Sequence, residues 1–254
     1  MREDRFQDKN VVVTGGNSGI GLAAAQQFAA EGARVMIIGR NQKTLDEALA
    51  TLGEGHLAVR ADMDNLDEVR RVVDIVKTEM GTVDALFASA GIAILMPFEE
   101  ITEERWDRLM SINLKCPYFL TQALVPCFGP GSSVVYCSSI GGVKVGPLSS
   151  LYGASKAAMR HMTRSLACEL ADKGIRVNVL SPGPIDTPIT GRSEGIDDPQ
   201  AVQNFRNLIT GNVPMKRMGT PDEAAVAAVF LASDEASFIT GAEIIVDGGI
   251  VGTT

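Results

Sequence analysis

The chain is expected to adopt an α/β fold: a single doubly wound parallel sheet of seven strands with helices on both faces. Three observations carry that expectation. Short apolar runs rich in β-branched residues alternate with amphipathic stretches of helical spacing. The first run leads straight into a glycine-rich turn, Gly15-Gly16-Asn17-Ser18-Gly19-Ile20-Gly21, and then into a helical pattern. No Pro/Ser-rich linker, repeat or low-complexity tract interrupts the 254 residues, so 1–254 reads as one domain.

In chain order the expected elements are a strand over 10–14 around Val11-Val12-Val13, a helix over 19–31, a strand over 34–39 around Val35-Met36-Ile37-Ile38, a helix over 41–51, and a strand over 56–61. A helix over 66–80, a strand over 85–89, a helix over 102–125 and a strand over 133–138 follow. Then come a helix over 150–173, a strand over 176–181, helices over 199–211 and 222–233, and a last strand over 243–246. Strand–helix alternation at this spacing implies right-handed crossovers and a parallel sheet. One segment breaks the rhythm. Residues 181–218 hold Pro182, Pro184, Pro188, Pro199 and Pro214 among several glycines. Long irregular connections are commonly lids or binding loops, so a substrate loop is expected at about 184–215, with a passive insertion as the alternative.

Composition excludes several classes. Lysine plus arginine is 23 against 31 for aspartate plus glutamate, a net charge of −8. An acidic chain without a basic tract is a poor partner for nucleic acid. No apolar run reaches the roughly 18 residues of a membrane span. The start, MREDRFQDKN, lacks an apolar core, so no secretory signal is read and the cytoplasm is the expected compartment. Cys116, Cys127, Cys137 and Cys168 form no CxxC pair and are expected to be small buried hydrophobes. His56 and His161 lie far apart, so neither a metal cluster nor a Ser-His-Asp triad is expected. The proton chemistry must rest on other side chains.

The glycine-rich turn points to a dinucleotide. Gly15, Gly19 and Gly21 let the backbone turn tightly and approach a pyrophosphate, and the helix start offers free N–H groups and a positive dipole end. Asn17, Ser18 and Ile20 complete the expected cradle. A tight turn with no ligand is the alternative. Such a site selects its ribose at the end of the second strand, where an acid bonds the 2′-hydroxyl. Here Gly39-Arg40-Asn41 carries no carboxylate. Arg40 can form charge-assisted bonds to a 2′-phosphate, so NADP(H) is expected over NAD(H), with NAD(H) left open. A solvated arginine is the competing reading.

Tyr152-Gly153-Ala154-Ser155-Lys156 opens a helical stretch, which stacks Tyr152 and Lys156 on one face. A nearby ammonium and a cationic nicotinamide ring both favour phenolate, which is expected to bring the tyrosine toward the operating range. The pair follows Ser138-Ser139 at the end of a strand, where the cofactor edge should lie.

Taken together, Thr14–Gly21, Asp62, Ala90-Gly91, Asn113, Ser139, Tyr152, Lys156, Pro182-Gly183 and the Gly241–Gly249 ending resemble the short-chain dehydrogenases/reductases along essentially the whole chain, with Ser139 thirteen positions before Tyr152. The resemblance implies a Rossmann-type fold and these roles. Ser139 would hydrogen-bond a substrate carbonyl, and Tyr152 would be the acid in reduction and the base in oxidation. Lys156 would tune Tyr152 and bind the nicotinamide ribose, and Asn113 would hold a water linking Lys156 to solvent. Asp62 would approach the adenine, and Met63 would border the cofactor. Ser89, Ala90 and Gly91 would border the cofactor, as would Pro182, Gly183, Ile185 and Thr187. The family usually has Asn-Asn-Ala-Gly where this chain has Ala88-Ser89-Ala90-Gly91, so Ser89 offers a shorter side chain with one donor.

By analogy of position the substrate pocket would be Ile94, Leu95, Met96, Val145, Leu148, Leu151, Ile189, Phe205 and Ile209, apolar walls that favour uncharged ketones. Lys144 and Arg192 flank them and leave an anionic substrate open. The expected activity is that of an NADP(H)-dependent oxidoreductase interconverting a ketone and a secondary alcohol, like a carbonyl reductase or 3-oxoacyl reductase. Hydride would come from nicotinamide C4 and the proton from Tyr152. A cofactor sensor of the same fold without turnover is the alternative. A homotetramer is implied through the 222–233 helix and the last strand.

Overall fold

The computed structural model describes residues 4–195 and 198–252. Its strands are β1 (Asn10–Thr14), β2 (Arg34–Gly39), β3 (Leu57–Arg60), β4 (Val83–Ala88), β5 (Phe128–Cys137), β6 (Arg176–Pro182) and β7 (Glu243–Val246). Its helices are α1 (Gly19–Ala30), α2 (Gln42–Leu52), α3 (Leu66–Glu79), α4 (Glu103–Met110), α5 (Cys116–Leu124), α6 (Ser150–Leu170), α7 (Pro199–Asn212) and α8 (Pro221–Ala232). The seven strands pair in the order β3-β2-β1-β4-β5-β6-β7, and every pairing is parallel.

Strand side chains alternate between two cores, as a period of two requires. Val12, Met36, Ile38, Val134 and Tyr136 face α3, α5 and α6 through Val69, Val73, Leu120 and Met159. Val11, Val13, Val35, Ile37 and Val135 face α1, α2 and α8 through Ala24, Phe28, Leu45 and Val229. Both faces are therefore covered, which is why the strands read as continuous apolar runs. β1 sits between β2 and β4, so the winding direction reverses there and opens a crevice at the carboxyl ends of the strands.

The single helix expected over 102–125 is instead α4, a π-helical turn at Ser111–Lys115, and α5. The cause is Asn113, fully buried inside that turn. Its Oδ1 accepts from the Ile92 N–H at 2.9 Å, and its Nδ2 donates to the Ile92 carbonyl at 3.0 Å. Holding that side chain inward requires a wider turn than the α-helix supplies. β5 begins at Phe128, five residues before its expected start at Ser133, and its register against β4 shifts between Val83 and Ala85. Three cysteines are buried as expected, whereas Cys168 on α6 is exposed. His56 is a structural residue: its Nδ1 accepts from the Val35 N–H at 3.1 Å. No helix among the described residues is long and apolar enough to cross a membrane.

Arg176 at the start of β6 is buried and closes the carboxyl end of α8. Its guanidinium donates to the Leu231 carbonyl at 2.8 Å, Ala232 at 3.3 Å and Ser233 at 2.9 Å. These are helix-end carbonyls without intrahelical partners, and a cation there suits the dipole. Arg176→Ala is expected to lower stability by about 2–3 kcal/mol, because buried acceptors lose a charged donor. A urea midpoint equal to the parent's would refute that role.

Candidate active site

The crevice at the carboxyl edge holds a cleft of about 730 Å3. Its floor is the β1–α1 turn. Gly15 sits at φ +67° with its N–H donating to the Ile38 carbonyl at 2.8 Å, and a Cβ there would lie 3.0 Å from the Ala90 backbone. A Cβ on Gly21 would lie 2.3 Å from the Gly15 carbonyl oxygen, so only glycine allows the turn to fold onto the helix start. Ser18 precedes α1 with extended backbone, no side-chain cap and no acidic residue in the first helical turn. The N–H groups and dipole end are thus open to an anion.

Gly15, Ser18, Gly19, Ile20, Gly21, Arg40, Ser89, Ala90 and Gly91 line this half of the cleft, with Pro182, Gly183, Ile185 and Thr187 opposite. Four other expected cofactor residues lie outside the lining. Asn17 donates to the Thr44 hydroxyl at 2.7 Å, and Asn41 caps α2 by accepting from the Thr44 N–H at 3.2 Å; together they hold the segment that carries Arg40. Asp62 is exposed and accepts from the Asp64 N–H at 3.1 Å, while Met63 is buried in the core. Ser89 follows β4 and donates its N–H to the Phe87 carbonyl at 3.1 Å. The glycine cradle opens on the cleft, the helix start is free of acids, and no carboxylate accompanies Arg40 in its turn. Such a donor set suits a phosphate-bearing dinucleotide.

Ser139, Tyr152 and Lys156 come together at the inner end. Ser139 opens a 3-10 turn, Ile140–Gly142, and its hydroxyl accepts from the Gly141 N–H at 3.0 Å. Tyr152 lies in the first turn of α6 against the cluster of Ile94, Met96, Leu109 and Leu151. Lys156, one helical turn on, is buried, with Nζ 5.8 Å from the Tyr152 ring centroid and 2.9 Å from the Cys137 carbonyl it donates to. Asn113 adjoins them from below. Its Nδ2 also donates to the Ser155 hydroxyl at 3.2 Å, and a Cβ on Gly91 would lie 3.3 Å from its Oδ1 and 3.5 Å from Lys156 Nζ.

The chain's own groups act on the pair mainly through burial. The Tyr152 hydroxyl is pushed up to about 12, chiefly by burial; a hydrogen bond from Ser139 opposes this and Cys137 adds to it. Burial likewise lowers Lys156, partly opposed by Cys137. Desolvation thus raises the phenol, and the Lys156 amine is not among the groups that shift it.

On the substrate side Ile94, Leu95, Val145, Leu148, Ile189 and Ile209 line the cleft. Met96 and Leu151 do not; they pack in the core cluster behind Tyr152. The side chain of Phe205 lies outside the described residues. Sequence reasoning missed Arg108, Glu194 and Arg206, which also line the cleft. Glu194 accepts from Arg105 Nε at 2.6 Å and faces Arg108 at 3.7 Å, while Arg206 pairs with Asp186. Each pair joins segments remote in sequence, which leaves no local pattern to read.

A family model described as enoyl-(acyl carrier protein) reductase matches residues 15–251. An oxidoreductase of Sarocladium schorii, asL5, is 42% identical over 248 residues, covering 97% of each chain. An NADP-dependent (R)-specific alcohol dehydrogenase of Lentilactobacillus kefiri is 37% identical, covering 97% of this chain and 98% of its own. The crystal structure of a short-chain dehydrogenase/reductase, glucose/ribitol dehydrogenase, from Brucella melitensis superposes with a TM-score of 0.90 at 36% identity, covering 98% of this chain and 99% of its own. The chain belongs to the short-chain dehydrogenases/reductases. As a member it is an oxidoreductase of alcohol and carbonyl groups in small molecules and uses a nicotinamide dinucleotide, NAD(P)(H).

Gly21→Ala is expected to cost more than tenfold in nicotinamide dinucleotide affinity, because its methyl would collide with the Gly15 carbonyl. Titration of protein fluorescence with the reduced cofactor checks this, and unchanged affinity would show that the turn does not hold the pyrophosphate.

Proposed function

We propose that this short-chain dehydrogenase/reductase reduces a ketone to a secondary alcohol with NADPH, and runs the reverse reaction with NADP+. The observation that carries the reading is the convergence of Ser139, Tyr152 and Lys156 at the inner end of a cleft whose other half is the glycine cradle. When bound, the nicotinamide supplies the hydride. The chain supplies the rest. Ser139 donates a hydrogen bond to the substrate oxygen as negative charge develops there. Tyr152, protonated at neutral pH, gives that oxygen its proton. Lys156, anchored on the Cys137 carbonyl, keeps further N–H donors for a ribose hydroxyl and for the phenol. The apolar wall of Ile94, Leu95, Leu148, Ile189 and Ile209 excludes water and favours a substrate without charge. The described parts of the 184–215 segment, which bring Ile189, Arg192 and Ile209 to the cleft, are proposed as its lid. A homotetramer is proposed as well, supported by Val226, Phe238 and Ile245, apolar residues left exposed beside α8 and β7.

Arg40 supports the choice of NADP(H). It lines the cleft at the end of β2, where a 2′-phosphate would lie, and no carboxylate accompanies it in the β2–α2 turn. Arg40→Asp is expected to lower kcat/KM with NADPH by about tenfold or more while improving it with NADH, since one charged pair is worth about 1.5–3 kcal/mol. An unchanged NADPH/NADH ratio would refute the assignment.

The function is tested by following oxidation of the reduced nicotinamide against a panel of ketones, 3-oxoesters, sugars and steroids. Turnover with an uncharged ketone is expected, and NADPH binding without turnover across the panel would favour a sensor. Tyr152→Phe should keep cofactor affinity within twofold and lose about 100-fold or more in kcat. The phenol is protonated well below 12, so reduction should hold level through neutral pH and fall as the phenol ionises. Oxidation needs the phenolate and should climb with pH over the alkaline range. Parallel profiles in both directions would remove Tyr152 from the proton step.

A further inference from the structure

We propose that the buried ion pair between Arg160 and Glu243 is a positioning device for the reaction, holding the Ser139 turn, the catalytic helix and the Pro182-Gly183 edge of the cleft in one register. Arg160 lies one helical turn beyond Lys156 and two beyond Tyr152, on the same stripe of α6. Its Nε and Nη2 donate to the two Glu243 carboxylate oxygens at 2.7 and 2.5 Å. Its Nη1 donates to the Gly142 carbonyl at 3.0 Å, the last residue of the turn that Ser139 opens. The Ser181 hydroxyl donates to Glu243 Oε1 at 2.7 Å, immediately before Pro182-Gly183. Glu243 itself starts β7 and pairs with Val179 of β6.

One guanidinium and one carboxylate thus join four segments, three of which supply groups to the cleft. The Ser139 turn rests directly on the helix, since a Cβ on Gly142 would lie 2.8 Å from the Lys156 carbonyl carbon. Ser138 adds a hydrogen bond to the Lys156 carbonyl at 3.0 Å. Both side chains of the pair are largely buried, 20% and 10% exposed. A buried ion pair contributes little net stability relative to apolar residues of similar volume, whereas its fixed bidentate geometry orients what it touches. The Ser139 hydroxyl and Tyr152 phenol must both meet one substrate oxygen, and a displacement of about 1 Å can cost about 100-fold in rate.

The inference rests on the proposed carbonyl chemistry, and its test separates the two. Arg164 on α6 also acts on the Glu243 carboxylate and could replace Arg160 in a single variant, so the decisive protein is the double variant Arg160→Met/Glu243→Leu. It removes both charges together and should still fold cooperatively, with a lower melting temperature because the Gly142 carbonyl and Ser181 hydroxyl lose their partners. Its NADPH affinity and ketone KM should stay within threefold, while kcat falls about tenfold or more. Arg160→Lys, which keeps a charge without the fork, should recover part of the rate. A double variant with kcat within twofold of the parent overturns the proposal. If that protein does not fold, Glu243→Gln replaces it, with the same fall expected in kcat, and an unchanged kcat overturns the proposal in the same way. Tyr152→Phe is assayed alongside. If that variant turns over normally, the carbonyl chemistry fails; if it is dead while the double variant is fast, only the positioning role fails.

Discussion

Everything at the carboxyl edge depends on how closely the first turn approaches the end of β4. The Ala90 N–H donates to the Thr14 hydroxyl at 3.1 Å, and Gly15 leaves room for Ala90 only because it has no side chain. The next residue, Gly91, packs on Asn113 and Lys156. The glycine-turn end of the cleft and the end that holds Tyr152 and Lys156 are therefore joined through one close backbone packing. A bulkier residue at the join would separate them.

Burial governs the chemistry of the inner end. A phenol and an amine enclosed together are both shifted toward their neutral forms, the phenol upward and the amine downward. The carbonyl of Cys137 offsets part of the cost of enclosing the amine by accepting a hydrogen bond from it. Charges brought in with a ligand would act strongly in such a site because little water screens them.

The fold was legible because its signals are local. Each strand is a buried apolar run, and the turn after β1 announces its purpose in seven residues. Ser139, Tyr152 and Lys156 were legible for the same reason, since a strand end and one helical turn bring them together. What could not be read depends on distance along the chain. The role of Asn17 as a brace for the Arg40 segment, the packing of Met96 behind the tyrosine, and the salt links of Glu194 arise from partners that periodicity does not reveal. The extent of burial around Tyr152 and Lys156 was not legible either, because desolvation is a property of the enclosed volume and not of the residues named in a motif.

The wide turn at Ser111–Lys115 has a consequence for which changes in length the chain tolerates. Deleting one residue there would let α4 run into α5 as one ordinary α-helix, with Cys116, Leu120 and Leu124 still facing the core. What would go is the widened turn itself, and with it the inward reach of Asn113 to both backbone groups of Ile92. Homologous chains should gain or lose residues almost anywhere on this surface before they do so here.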